Sequence, residues 1–166
     1  MSLIRRVTGR RAARVVDLHG VRVDEAFIRE MLWDGLDDRA GQRLFDGSPE
    51  ELEDAITSSF DKAQDLAALT FPLVVWRGLT ISGSESPDLQ DADASWSDER
   101  AVAEMFAHEG WGDHPMLLRG IIRRAADVDW YMSLRQRVQY DVVEVSGPSE
   151  SEVRGKVHDI VVVSWP

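Results

Sequence analysis

The chain has 166 residues, 43% hydrophobic and 30% charged, with a formal net charge of −11 and no cysteine. That size and composition suit one domain with a proper core. They exclude disulfides and zinc–thiolate sites and a membrane span of about 18 apolar residues, and they make the chain a poor generic binder of nucleic acid, because phosphate contacts need Lys and Arg.

The N-terminus carries Arg5, Arg6, Arg10, Arg11 and Arg14. No apolar stretch follows, so it does not read as a secretory signal, and cytoplasm is the default compartment. Val23-Asp24-Glu25 precedes Phe27, Ile28, Met31 and Leu32 at helical spacing. Gly35 and Gly41 are expected to interrupt that helix. Ser48-Pro49-Glu50-Glu51 is a strong helix start, with a capping serine, proline at the first helical position and a capping-box glutamate. Leu52, Ala55, Ile56, Phe60, Ala63 and Ala67 mark its apolar face.

The pattern changes near Pro72. Leu73-Val74-Val75-Trp76, bounded by Pro72 and Gly78, reads as a buried strand with Arg77 at its end. Residues 83–94 are polar and read as a loop. Ser97-Asp98-Glu99 opens a second helix, with Ser97 as its cap and Ala101, Val102, Met105 and Phe106 as its buried stripe. Residues 116–122 read as a strand. Residues 138–145 read as another, because Val138, Tyr140 and Val142 alternate with Gln139 and Asp141. Ser146-Gly147-Pro148-Ser149 is a turn, and residues 157–165 form a last apolar strand. Helices first and strands later is the α+β pattern. It predicts one domain over 1–166, mainly helical over 1–70 and β-rich over 71–166.

Three patches carry candidate chemistry. Glu150 and Glu152 are two apart next to a strand, so in an extended chain both carboxylates share a face. Paired carboxylates suit glycosyl transfer through an oxocarbenium-like state, although a solvated hairpin edge has the same composition. Arg77 ends a buried strand and could hold a pyrophosphate, or simply pair with one of the 30 acidic residues. Ser95 and Ser97 flank Trp96. Ser97 has a structural role as a cap, Trp96 is more readily core than a stacking platform, and Ser95 is left as the functional hydroxyl.

The basic cluster Arg119, Arg123, Arg124, Arg135 and Arg137 reads as a solvated strand face. His19, His108, His114 and His158 lack metal-ligand spacing, so no metal is expected. Neither a glycine-rich dinucleotide fingerprint nor a Walker loop is present.

In order, Val75-Trp76-Arg77-Gly78, Ser95-Trp96-Ser97 with Val102-Ala103-Glu104-Met105-Phe106-Ala107, and Glu150-Ser151-Glu152 before an apolar strand resemble the motifs of the arginine–serine–glutamate ADP-ribosyltransferases. That class includes cholera-toxin-like, clostridial C3-like and phage enzymes. The similarity runs over residues 66–165. It departs from the class where Trp96 replaces the middle threonine, and where residues 131–146 are longer and more β-like than a target-recognition loop.

The resemblance implies a split mixed β-sheet core preceded by helices. It implies a transferase that moves ADP-ribose from NAD to a protein side chain, with arginine suggested by the first glutamate. Glu152 would stabilise the oxocarbenium and Glu150 would serve the acceptor. Arg77, Gly78, Ser95, Trp96 and Ser97 would form the NAD site. The acceptor would be a host protein if the chain is a phage-encoded modifier or a toxin. A non-catalytic binding module on the same scaffold is the alternative, and an acidic mimic of nucleic acid ranks last.

Overall fold

A computed structural model describes residues 13–35, 38–81, 94–109, 114–142 and 151–163. Among them the architecture is α+β, with a five-stranded sheet, a two-stranded hairpin and five α-helices.

The described residues open with a hairpin that the helical reading of the first third missed. Strands β1 (Val15–Leu18) and β2 (Val21–Asp24) pair antiparallel, Val16 against Val23. The turn residues His19 and Gly20 have φ of 50° and 96°, which a tight two-residue hairpin turn requires. The Gly20 N–H donates to Asp17 Oδ1 at 2.7 Å. The His19 ring stacks on Trp130 with centroids 4.6 Å apart.

Helix α1 (Glu25–Gly35) ends at the first predicted glycine. Gly41 does not break a helix, because it lies within α2 (Asp38–Asp46). Helix α3 (Pro49–Ala67) starts as expected. Ser48 Oγ accepts the Glu51 N–H at 3.1 Å, and the Ser48 N–H reaches Glu51 Oε2 at 3.4 Å. Ile56, Phe60, Ala63 and Leu66 carry its buried face into the core.

The main sheet contains β3 (Leu73–Ile81), β4 (Trp96–Ser97), β5 (His114–Ile122), β6 (Glu152–Val153) and β7 (His158–Val163), in the order β6-β4-β3-β5-β7. Every pairing is antiparallel, which corrects the mixed sheet expected from the resemblance. Strand β3 does not stop at Arg77. It runs on through Gly78 in unbroken register with β5, from Leu73 opposite Ile122 to Ile81 opposite His114.

The two faces of the sheet are covered differently. Val75, Leu118, Ile122, Trp96 and Val153 join the main core with residues of α3 and of α5 (Trp130–Val142). The other face receives α4 (Arg100–Glu109). Gly78 permits that contact. A Cβ there would overlap the Ala103 carbonyl oxygen of α4 and lie 2.6 Å from the Ala107 nitrogen. Backbone cannot yield as a side-chain tip can, so Gly78→Ala should cost about 3 kcal/mol. A lowered urea midpoint at unchanged m-value is the expected reading.

Residues 138–142 are the largest departure from the sequence reading. They belong to α5, not to a strand. Trp130, Leu134 and Val138 recur every four residues and are all buried, so the helical period prevails over the alternation of Val138, Tyr140 and Val142. The rest of the predicted strand, 143–145, lies outside the described residues. Among the described residues no helix is long and apolar enough to cross a membrane.

Candidate functional site

The sheet order brings the three motif strands together. Ser97 of β4 pairs with Trp76 of β3 on one side and with Glu152 of β6 on the other. Directly paired residues project from the same face, so Trp76, Ser97 and Glu152 share the face that α4 covers. The Arg100 guanidinium lies over the Trp76 ring there, 5.2 Å from its centroid.

Arg77 is adjacent to Trp76 in a regular strand and therefore turns to the opposite face, alongside Val75. It is half-buried. Arg77 thus follows Trp76, the register partner of Ser97, yet lies across the sheet from the Ser–Glu patch. Trp96 takes the core face too, 4% exposed and clustered with Val153 and Val75. Gly78 serves the helix contact already described. Glu150 lies outside the described residues.

Ser97 sits in β4, three residues before α4 begins at Arg100, and does not cap the helix from the N-cap position. Its hydroxyl shapes the turn instead. Ser97 Oγ accepts the Glu99 N–H at 3.0 Å and lies 2.6 Å from Ser151 Oγ, while the Asp98 N–H donates to the Ser151 carbonyl at 3.0 Å. Both serines are buried.

Glu152 is 8% exposed. Arg154 donates from Nε to Glu152 Oε1 at 3.3 Å and from Nη2 to Ser95 Oγ at 3.0 Å. One guanidinium therefore links the exposed Ser95 to the glutamate. A second grips the main chain. Arg137 of α5, 3% exposed, donates from Nε to the Glu152 carbonyl at 2.8 Å and from Nη2 to Asp98 Oδ2 at 3.3 Å. Burial raises the Asp98 carboxyl above its ordinary value, and the Arg137 charge partly offsets that rise.

Arg137 is thus a buried structural cation, not part of a solvated strand face. Arg154 and Asp98 were missed by sequence reasoning. The signal for Arg154 was present, since the spacing that pairs Glu150 with Glu152 also pairs Glu152 with Arg154.

The patch offers a carboxylate of low exposure, an accessible hydroxyl and a guanidinium between them. Such a set can stabilise a developing positive charge and direct hydrogen bonds at a sugar. Among the described residues no three histidine, aspartate or glutamate side chains gather in a way that could hold a metal ion. The chain matches no protein-family model, and neither a curated protein nor a solved structure is similar to it.

Proposed function

We propose that the chain is an NAD-dependent mono-ADP-ribosyltransferase acting on a protein side chain, with arginine as the acceptor class. One observation supports this above the others. The strands bearing the arginine, serine and glutamate motifs, far apart in sequence, are consecutive neighbours β3-β4-β6, with Ser97 in register with Glu152.

In this reading the bond from the nicotinamide nitrogen to ribose C1′ breaks, and its electron pair leaves with neutral nicotinamide. The ribose ring becomes cationic, and the Glu152 carboxylate stabilises that charge while hydrogen-bonding a ribose hydroxyl. A guanidinium nitrogen of the acceptor then bonds to C1′ and loses a proton, with Glu150 as the base. Ser95 lines the pocket beside Glu152. The reading rests on the Ser–Glu side of the sheet, because the register turns Arg77 away from it.

A non-catalytic binding module is the second reading. What favours it is the Glu152 carboxylate, already occupied by Arg154. Incubation with NAD separates the two. The transferase reading expects nicotinamide release and a melting temperature raised by NAD. Absence of both at millimolar NAD would leave the binding module.

A further inference from the structure

We infer that Arg154 is a positioning residue that fixes the Glu152 carboxylate against Ser95, an inference resting on the transferase reading. The main chain of Arg154 is itself anchored. Its N–H donates to Ser133 Oγ at 2.9 Å, and its carbonyl accepts the Asp129 N–H at 2.9 Å. Ser133 is fully buried in α5. The guanidinium therefore departs from a clamped point.

From there it donates to Glu152 Oε1 and to Ser95 Oγ. The Arg154 and Glu152 side chains are 21% and 9% exposed, so the contact is shielded rather than lying on open surface. A glutamate has three rotatable side-chain bonds, so a held backbone at residue 152 does not by itself fix its carboxylate. The guanidinium donates to Glu152 through Nε and to Ser95 through Nη2, so it restrains the position of Oε1 relative to the Ser95 hydroxyl. A carboxylate held through one oxygen keeps lone pairs on the other for a sugar hydroxyl. Ser95 then contributes by orienting Arg154, and reaches Glu152 through that guanidinium.

The test compares wild type with Arg154→Ala, Arg154→Lys, Ser95→Ala and the double variant Ser95→Ala/Arg154→Ala. The measurements are kcat and KM for nicotinamide release from NAD, and melting temperature. Arg154→Ala should lower kcat by roughly ten- to a hundredfold, the scale of a misplaced reacting group, and change KM for NAD by less than about threefold. Arg154→Lys should recover part of the loss. The double variant should be no slower than Arg154→Ala, since both changes break one chain of contacts.

A kcat unchanged or raised in Arg154→Ala overturns the inference, as do losses that multiply in the double variant. If Arg154→Ala melts far below wild type, Arg154→Lys and Ser95→Ala carry the comparison. A wild-type protein that releases no nicotinamide overturns the transferase reading and this inference together. An active wild type matched by Arg154→Ala overturns this inference alone.

Discussion

Glu152→Gln is expected to reduce nicotinamide release from NAD by at least about a hundredfold, the scale for losing one preorganised electrostatic group. Glutamine keeps the shape and an acceptor oxygen for the Arg154 contact. It removes the negative charge that a cationic ribose needs. The backbone of residue 152 is held independently of its side chain, through its pairing with Ser97 and the Arg137 hydrogen bond to its carbonyl. The variant should therefore melt within a few degrees of wild type. Activity and melting temperature falling together would assign Glu152 to the fold and refute the catalytic reading. Glu150→Gln should behave differently, sparing NAD hydrolysis and slowing transfer to protein. Equal loss of both would remove the separate acceptor role.

The largest effect on stability is expected from Arg137→Met. Methionine approximates the stem but leaves Asp98 without its counter-charge and the Glu152 carbonyl without its donor. Breaking a buried ion pair from one side costs about 3–5 kcal/mol, roughly 10–15 °C in a domain of this size. Asp98→Leu in the same background should restore part of the loss, because the stranded charge is then gone.

The deficit should also depend on pH. Asp98 has a raised folded-state pKa, so it holds its proton more tightly folded than unfolded. Its contribution to stability is then complete below its unfolded pKa, and is lost as pH rises through the folded one. Without Arg137 nothing from that side offsets burial, and the rise becomes larger. The gap in melting temperature between Arg137→Met and wild type should thus narrow as pH falls from about 7 to about 4. A gap constant across that range would place the damage in packing instead of in the stranded carboxylate.

Local chemistry made some elements legible and hid others. Helix α3 was readable because Ser48, Pro49 and Glu51 act within one turn of each other. Strands β3 and β5 were readable because apolar β-branched runs are bounded by breakers. The hairpin β1-β2 was missed because its turn is His19-Gly20, which lacks the familiar Asn-Gly signature. Helix α5 was misread because Val138, Tyr140 and Val142 satisfy a period of two. Burial of Leu134 and Val138 shows that a period of four governs the fold.

The candidate site was half legible. The pairing of Ser97 with Glu152 joins residues 55 apart, and no local pattern encodes it. The turning of Arg77 from that patch follows from a strand running past it, where the sequence suggested a strand that stopped. Arg137 looked solvated because arginine is seldom buried without a partner, and its partners Asp98 and the Glu152 carbonyl are distant in sequence.

The sheet is also uneven in the order in which it can form. Strand β3 zips to β5 through nine consecutive residue pairs, from Leu73 to Ile81. Strands β4 and β6 have two residues each, and their pairing closes a loop of more than fifty residues. Long closure for little contact makes such an edge late to assemble and early to open. Amide hydrogens of residues 96–97 and 152–153 should therefore exchange faster than those of β3 facing β5, through partial openings that leave the centre intact. A ligand bridging Ser95 and Glu152 would slow exchange at this margin far more than at the centre.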